Sequence, residues 1–144
     1  MKNLKYIYLS IIILFAAACS NDDHSDQDTQ PPTITILKPT KDQVFESGDD
    51  LHIEVKFVDN TALASYKIEI HHGGDGHGHG TDIRIVEWEY EVEGSLPNSK
   101  EYTLHLEIAI PAEAEEGEYH LGLYALDTSG NQGTAWTDFV VENH

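Results

Sequence analysis

Cysteine is all but absent from this chain. One occurs, at position 19, so the folded state has no intramolecular disulfide and must rest on its apolar core. Positive charge is scarce as well. Eight Lys and Arg face 26 Asp and Glu, a formal net charge of −18, which excludes a body drawn to nucleic acid or to an anionic membrane surface. Such a body attracts cations, whether metal ions or basic partners. No apolar run approaches the roughly 20 residues needed to span a bilayer as a helix. Catalytic signatures are also missing. No Ser, Thr or Cys nucleophile stands in a recognisable motif, and no Gly-rich phosphate loop follows a strand and opens a helix. A loop-bound metal can activate water, but catalysis also needs a dry, shaped cavity, and a small domain with short loops offers little of one. The chain therefore does not read as an enzyme.

What is present at the N-terminus is an export signal. Lys2 and Lys5 supply the positive region, Tyr6 to Phe15 the short apolar region, and Ala16-Ala17-Ala18 a small-residue cleavage site directly before Cys19. Residues 1–18 resemble a lipoprotein signal peptide, in which the thiol at the cleavage point receives diacylglycerol. The position three before the cysteine is Ala16, where such signals prefer leucine. Loss of residues 1–18 removes Lys2 and Lys5 and no acid, so the net charge falls from −18 to −20. Residues 19–32 follow as an acidic, polar tether carrying the lipidated Cys19, too poor in apolar side chains to fold alone and ending in the stiff Pro31-Pro32. Asp22-Asp23, just after the cysteine, is similar to the surface-export signal of Bacteroidetes lipoproteins. That resemblance implies an outer-membrane, lipid-anchored protein facing the cell exterior; a merely soluble spacer is the alternative.

From Thr33 to the end, residues 33–144, the dominant signal is alternation with period two, the mark of half-buried strands. Seven runs are predicted: Thr33–Leu37, Leu51–Val58, Leu63–His71, Asp82–Val92, Tyr102–Ile110, Glu118–Asp127 and Thr134–Glu142. In the fifth, Tyr102, Leu104, Leu106, Ile108 and Ile110 share one face; Phe57, Leu106 and Leu123 are expected at the centre of the core. Trp88 and Tyr90 read as core rather than as a sugar-stacking platform. Turn residues separate the runs, among them Ser47-Gly48-Asp49, Asp59-Asn60 and Asp127–Asn131. Only Ala112–Glu116 has the character of a helical turn. Seven short strands without helices predict an all-β chain, an immunoglobulin-like antiparallel β-sandwich of about seven strands.

Two stretches carry a resemblance. PPTITILKPTKDQVFESGDDLHIEVKFVDN (residues 31–60) is similar to the opening of bacterial immunoglobulin-like modules, and GEYHLGLYALDTSGNQGTA (residues 117–135) to their closing hairpin. The whole domain resembles a Bacteroidetes-type lipoprotein family of unknown function that combines this sandwich with a His-rich insertion after the third strand. Sandwiches of this kind host adhesins, receptors and sugar binders alike, so the resemblance bears on fold more than on function.

That insertion is HHGGDGHGHG, residues 71–80. Nine histidines are present in the chain, and His71, His72, His77 and His79 crowd into this one segment beside Asp75. Imidazole suits zinc, copper(II) and nickel(II), and a carboxylate can complete the shell. In an extended chain His77 and His79 share a side, whereas His71 and His72 point to opposite faces. The glycines let the segment bend around an ion but make it costly to order. The immunoglobulin-like arrangement implies that the third and sixth strands are antiparallel neighbours, which places His71 near His120. The expected site is then His71 and His120 as a rigid base, closed by His77 and His79, with His72, Asp75 or a glutamate of the Pro111–Glu118 connection as alternatives, and with zinc foremost. Affinity should fall as the pH drops through the ordinary histidine range near 6.5, because the metal needs neutral imidazole. The competing reading is a solvated hairpin loop. Two functions follow: capture of a divalent transition metal, with hand-off to an outer-membrane transporter, or a structural and adhesive module binding a protein or glycan at the cell surface. For the second, Trp136 and Tyr124 form the best aromatic hook, both falling opposite the core parity. His52 and His105 read as ordinary exposed residues. Calcium at Asp59-Asn60 and Asp127–Asn131 is a further reading that turn formation explains equally well.

Overall fold

The computed structural model describes residues 27–73 and 87–143. Eight strands run β1 (Thr33–Lys38), β2 (Gln43–Glu46), β3 (Asp50–Val58), β4 (Leu63–His72), β5 (Tyr90–Ser95), β6 (Glu101–Ala109), β7 (Gly117–Asp127) and β8 (Gln132–Glu142), and there is no helix among the described residues. They form a three-stranded sheet, β1-β3-β6, and a five-stranded sheet, β2-β8-β7-β4-β5. All pairings are antiparallel except β2 with β8. The expected immunoglobulin-like sandwich is what forms.

Alternation accounts for the long strands. Leu51, Ile53, Val55 and Phe57 of β3 are buried to 1% exposure or less, as are Tyr119, Leu121, Leu123 and Ala125 of β7, and the residues between them face outward. These two sets meet across the sandwich with Ile68 and Ile70 of β4 and Phe139 and Val141 of β8. Each Val, Leu, Ile or Phe among them contributes roughly 1.5–3 kcal/mol on leaving water. The exposed ion pairs Lys38–Glu54 and Lys56–Glu101 contribute at most about 1 kcal/mol each. Core burial holds this fold together.

Four details differ from the expectation. An eighth strand exists, β2, which offers only Phe45 to the core and lies parallel to β8; one inward residue leaves no periodicity to read. β5 runs Tyr90–Ser95 rather than over Asp82–Val92: residues 87–89 are not strand, and residues 82–86 lie outside the described ones. Its position is set by pairing with β4, from Ile70 with Tyr90 to Ser65 with Ser95. Trp88 is nevertheless core, packed on Tyr119 and Phe139 with ring centres 5.7 and 6.5 Å apart. Leu106 is only half-buried and Tyr102 is exposed, because β6 is an edge strand. Between β6 and β7, the Ala112–Glu116 stretch makes a turn closed by the Ala114 N–H on the Pro111 carbonyl at 3.0 Å, not a helix.

The ordered body also begins before Thr33. Pro32 is buried and its carbonyl passes over Gly133 of β8, where a side-chain β-carbon would collide with it. Five residues upstream of β1, Asp28 accepts from Asn60 Nδ2 at 2.9 Å and, through its main-chain oxygen, from Asn131 Nδ2 at 3.0 Å. The chain thus enters at the end of the sandwich that carries the β3–β4 and β7–β8 turns. His71, near the end of β4, lies at the opposite end, roughly 26 Å away at about 3.3 Å per strand residue.

A candidate metal-binding row on the five-stranded sheet

Parity and register together build the site. On β4, Ile68 and Ile70 face the core, which turns Lys67, Glu69 and His71 outward. On β7, the burial of Tyr119 and Leu121 turns Glu118 and His120 outward. Strand pairing then sets His71 directly opposite His120, and His120 directly opposite Asp138 of β8. Side chains opposite one another on one sheet face are close enough to interact. The result is a row of three potential ligands across three strands.

The imidazoles of His71 and His120 have ring centres 5.3 Å apart with their planes at 62°. Two imidazoles on one tetrahedral zinc, with zinc–nitrogen bonds of about 2.0–2.1 Å, hold their centres about 5 Å apart. His120 Nδ1 lies 2.6 Å from Asp138 Oδ1. A carboxylate only accepts, so in the neutral ring the proton sits on Nδ1 and Nε2 presents its lone pair. This is how metal-binding histidines are commonly oriented: a carboxylate fixes the tautomer and raises the basicity of the other nitrogen. The free nitrogen faces Gly73, where an added β-carbon would stand 2.8 Å from Nε2. Gly73 is anchored there by its N–H on the Glu118 carbonyl at 2.7 Å. Ligand atoms of Glu118, His120 and Asp138 lie within 4.8 Å of one another, Glu118 exposed and the other two half-buried.

Aromatic rings flank the row. Trp136, 51% exposed, sets its edge against His71 at 6.2 Å and against Tyr124 at 5.5 Å. Gly122 lies under the indole, and any β-carbon there would strike the ring. Tyr124 donates to Glu69 at 3.1 Å, and Glu69 pairs with Lys67 at 2.6 Å. The hydrogen bonds that Lys67 donates to Glu69 and Glu91 push its ammonium pKa up, and the same bond from Lys67 holds the Glu69 carboxyl below its ordinary range. The face is charged but internally paired around an exposed indole.

Of the residues singled out in the sequence, His71 and His120 are thus neighbours. His72 is not with them: it takes the inner parity and packs edge-on against Tyr119 at 5.0 Å. Asp75, His77 and His79 lie outside the described residues. His52 is exposed beside Glu107 at 3.3 Å, and His105 is exposed on β6. Sequence reasoning missed Asp138. Its outward parity on the last strand was visible, but its partner was not; counting back from the Asp127–Asn131 turn along both strands would have set it against His120.

The sequence matches the family described as a domain of unknown function (DUF4625) over residues 17–141. No curated protein matches it. Among solved structures, it is similar to a DUF4466 family protein from Parabacteroides merdae, with TM-score 0.53 and 13% identity over 76% of this chain and 44% of that one. OgpA from Akkermansia muciniphila gives TM-score 0.52 and 11% identity over 78% and 30%. The fibronectin(III)-like modules of Clostridium thermocellum CbhA give 0.49 and 22% over 78% and 47%. The chain spans less than half the length of each of these structures. At such identities the first two speak to the fold alone.

Proposed function

This chain belongs to the DUF4625 family, and we propose that it is a lipid-anchored, surface-facing immunoglobulin-like module that captures a divalent transition metal, zinc foremost, at the β4–β7–β8 edge. The observation that carries the reading is His120: one ring nitrogen held by Asp138 at 2.6 Å, the other facing Gly73, and His71 alongside at 5.3 Å. In sequence, Gly73 leads directly into GDGHGHG, so further imidazoles follow within six residues. His71 and His120 are the fixed ligands, Asp138 orients His120, and His77 and His79 supply the remainder from the adjoining segment. Glu118 is the acidic alternative. The net charge of −18 draws cations toward the whole surface. Cys19 carries the lipid, and the metal passes to a transporter in the same membrane; no catalytic step is involved.

Titration of tag-free mature protein with zinc, copper(II) and nickel(II) at pH 7.5 and 5.5 tests this, beside His71→Ala/His120→Ala and His77→Ala/His79→Ala variants. Tight zinc binding at the higher pH, weakened in both double variants, supports it. Binding weaker than about millimolar, or indifferent to His71 and His120, overturns it. A second reading has its own observation: the exposed Trp136 against Tyr124 is a platform on which a sugar ring or an aromatic side chain can stack. Glycan or cell-surface binding that survives chelation and is lost in Trp136→Ala favours that adhesive role.

A further inference from the structure

At the opposite end of the sandwich from His71, three aspartates converge from parts of the chain far apart in sequence. Asp59 closes β3 and is 5% exposed; Asp127 closes β7 and is 3% exposed; Asp28 comes from the segment before β1. One carboxylate oxygen of each lies within 4.8 Å of the others. None of the described ion pairs reaches them.

Local turn chemistry explains part of this. Asp59 Oδ1 accepts the N–H groups of Thr61 and Ala62 at 2.8 and 2.7 Å. Asp127 Oδ1 accepts those of Ser129 and Asn131, both at 2.8 Å, and its Oδ2 accepts from Asn131 Nδ2 at 2.6 Å. Turn formation does not explain Asp59 Oδ2. That oxygen is buried and has no hydrogen-bond partner among the described residues; Asp28 Oδ2, on a half-buried residue, is likewise buried and unpartnered among them. A buried carboxylate oxygen left unpaired is costly, and here it stands beside two more carboxylates.

We propose that Asp28, Asp59 and Asp127 form a site for a hard divalent cation of the calcium class, separate from the histidine edge. The donors are all oxygen, as such ions require, and none is a soft or imidazole ligand. Coordination order favours calcium over magnesium. Calcium accepts an irregular set of oxygens at about 2.3–2.6 Å, whereas magnesium demands near-octahedral order at about 2.0–2.1 Å and sheds water reluctantly, and two of these carboxylates are already tied to their turns by hydrogen bonds. A bound cation neutralises the three charges and uses the two unpartnered oxygens. It also adds to the hydrogen bonds from Asn60 and Asn131 that already hold Asp28 to both turns, and so fastens the segment before β1 more firmly.

Calcium titration of the tag-free mature chain tests the proposal, after treatment with EDTA and re-equilibration in chelator-free buffer. Heat melts and limited proteolysis of residues 19–32 are the readouts. Calcium at millimolar concentration should raise the melting temperature and slow cleavage of the linker, with magnesium much less effective. Asp59→Asn keeps the Oδ1 acceptor and removes the charge. It should melt in EDTA no lower than the parent protein while losing the calcium response. Asp28→Asn, whose side chain is not in the core, should lose the response as well, and His120→Ala should retain it. A parent melting temperature indifferent to calcium up to about 10 mM, or a response that persists in both aspartate variants, overturns the proposal.

Discussion

Replacing Asp138 by asparagine separates a metal role from a structural one at the histidine edge. Asparagine keeps the shape and can still accept from His120 Nδ1, but it removes the charge that makes Nε2 the better ligand. Outer-shell partners of metal-binding histidines are worth about 10- to 100-fold in affinity. Asp138 and His120 keep 30% and 34% of their side-chain surface exposed, so water screens the pair and the lower end applies. A loss of about tenfold is expected, or about 1.4 kcal/mol of binding free energy. The apo protein should barely notice: a pair that water still reaches is worth about 0–1 kcal/mol, which for a domain of this size is no more than about 4 °C in melting temperature. Zinc affinity is read by competition against a chromogenic chelator at pH 7.5, with parent, Asp138→Asn and His120→Ala side by side. His120→Ala should lose far more than tenfold. An Asp138→Asn variant within twofold of the parent would show that the 2.6 Å contact does not tune a ligand. One that melts more than 10 °C below the parent would show that the pair belongs to the fold instead.

Three further outcomes are expected. Phe57→Ala, at a fully buried position, should cost about 3–5 kcal/mol and lower the melting temperature by about 12–20 °C, whereas Leu106→Ala on the half-buried edge should cost less than half of that; equal losses in denaturant unfolding would contradict the strand order. Asp28 and Asp127 titrate below the ordinary 3.8. In Asp28 the Gln30 N–H is the main cause; in Asp127 burial pushes the other way, but the Asn131 and Ser129 hydrogen bonds outweigh it. A folded-state value below the unfolded one means a stabilisation complete above pH 3.8 and lost as the pH falls below it, so unfolding free energy in EDTA should drop steeply there, and less steeply in Asp127→Asn; parallel curves would refute the assignment. Cys19→Ser should move the protein from the membrane fraction to the soluble one, and an unaltered distribution would remove the lipid anchor from the proposed function.

Legibility tracked how local the determining physics was. β3 and β7 were readable because each buries one face against a core and alternates cleanly; Leu51 to Phe57 and Tyr119 to Ala125 announce themselves. β2 was not, since a four-residue strand with one inward side chain is held by a parallel partner nearly a hundred residues later. β5 was displaced because its alternating glutamates and aromatics fit strand geometry upstream as well, and only the pairing with β4 decides between registers. At the histidine edge, His71 and His120 could be matched because the third and sixth strands are neighbours in any sandwich of this class. Asp138 needed the exact β7–β8 register. Asp28 gave no signal at all. It lies in a polar stretch without periodicity, and its partners Asn60 and Asn131 are 32 and 103 residues away.

The position of Pro32 beneath the β7–β8 turn and of His71 at the far end has a consequence for load. Suppose a partner held at the histidine edge pulls against the point where the chain enters the domain. The force then runs along the strand axes, roughly parallel to β1, β4, β7 and β8 rather than across them. Hydrogen bonds between strands are perpendicular to that direction, so they bear the load together in shear, and none can be peeled open ahead of the next. Resistance to forced unfolding is set by the height of the unfolding barrier rather than by equilibrium stability. A module pulled end to end in this way yields late and all at once.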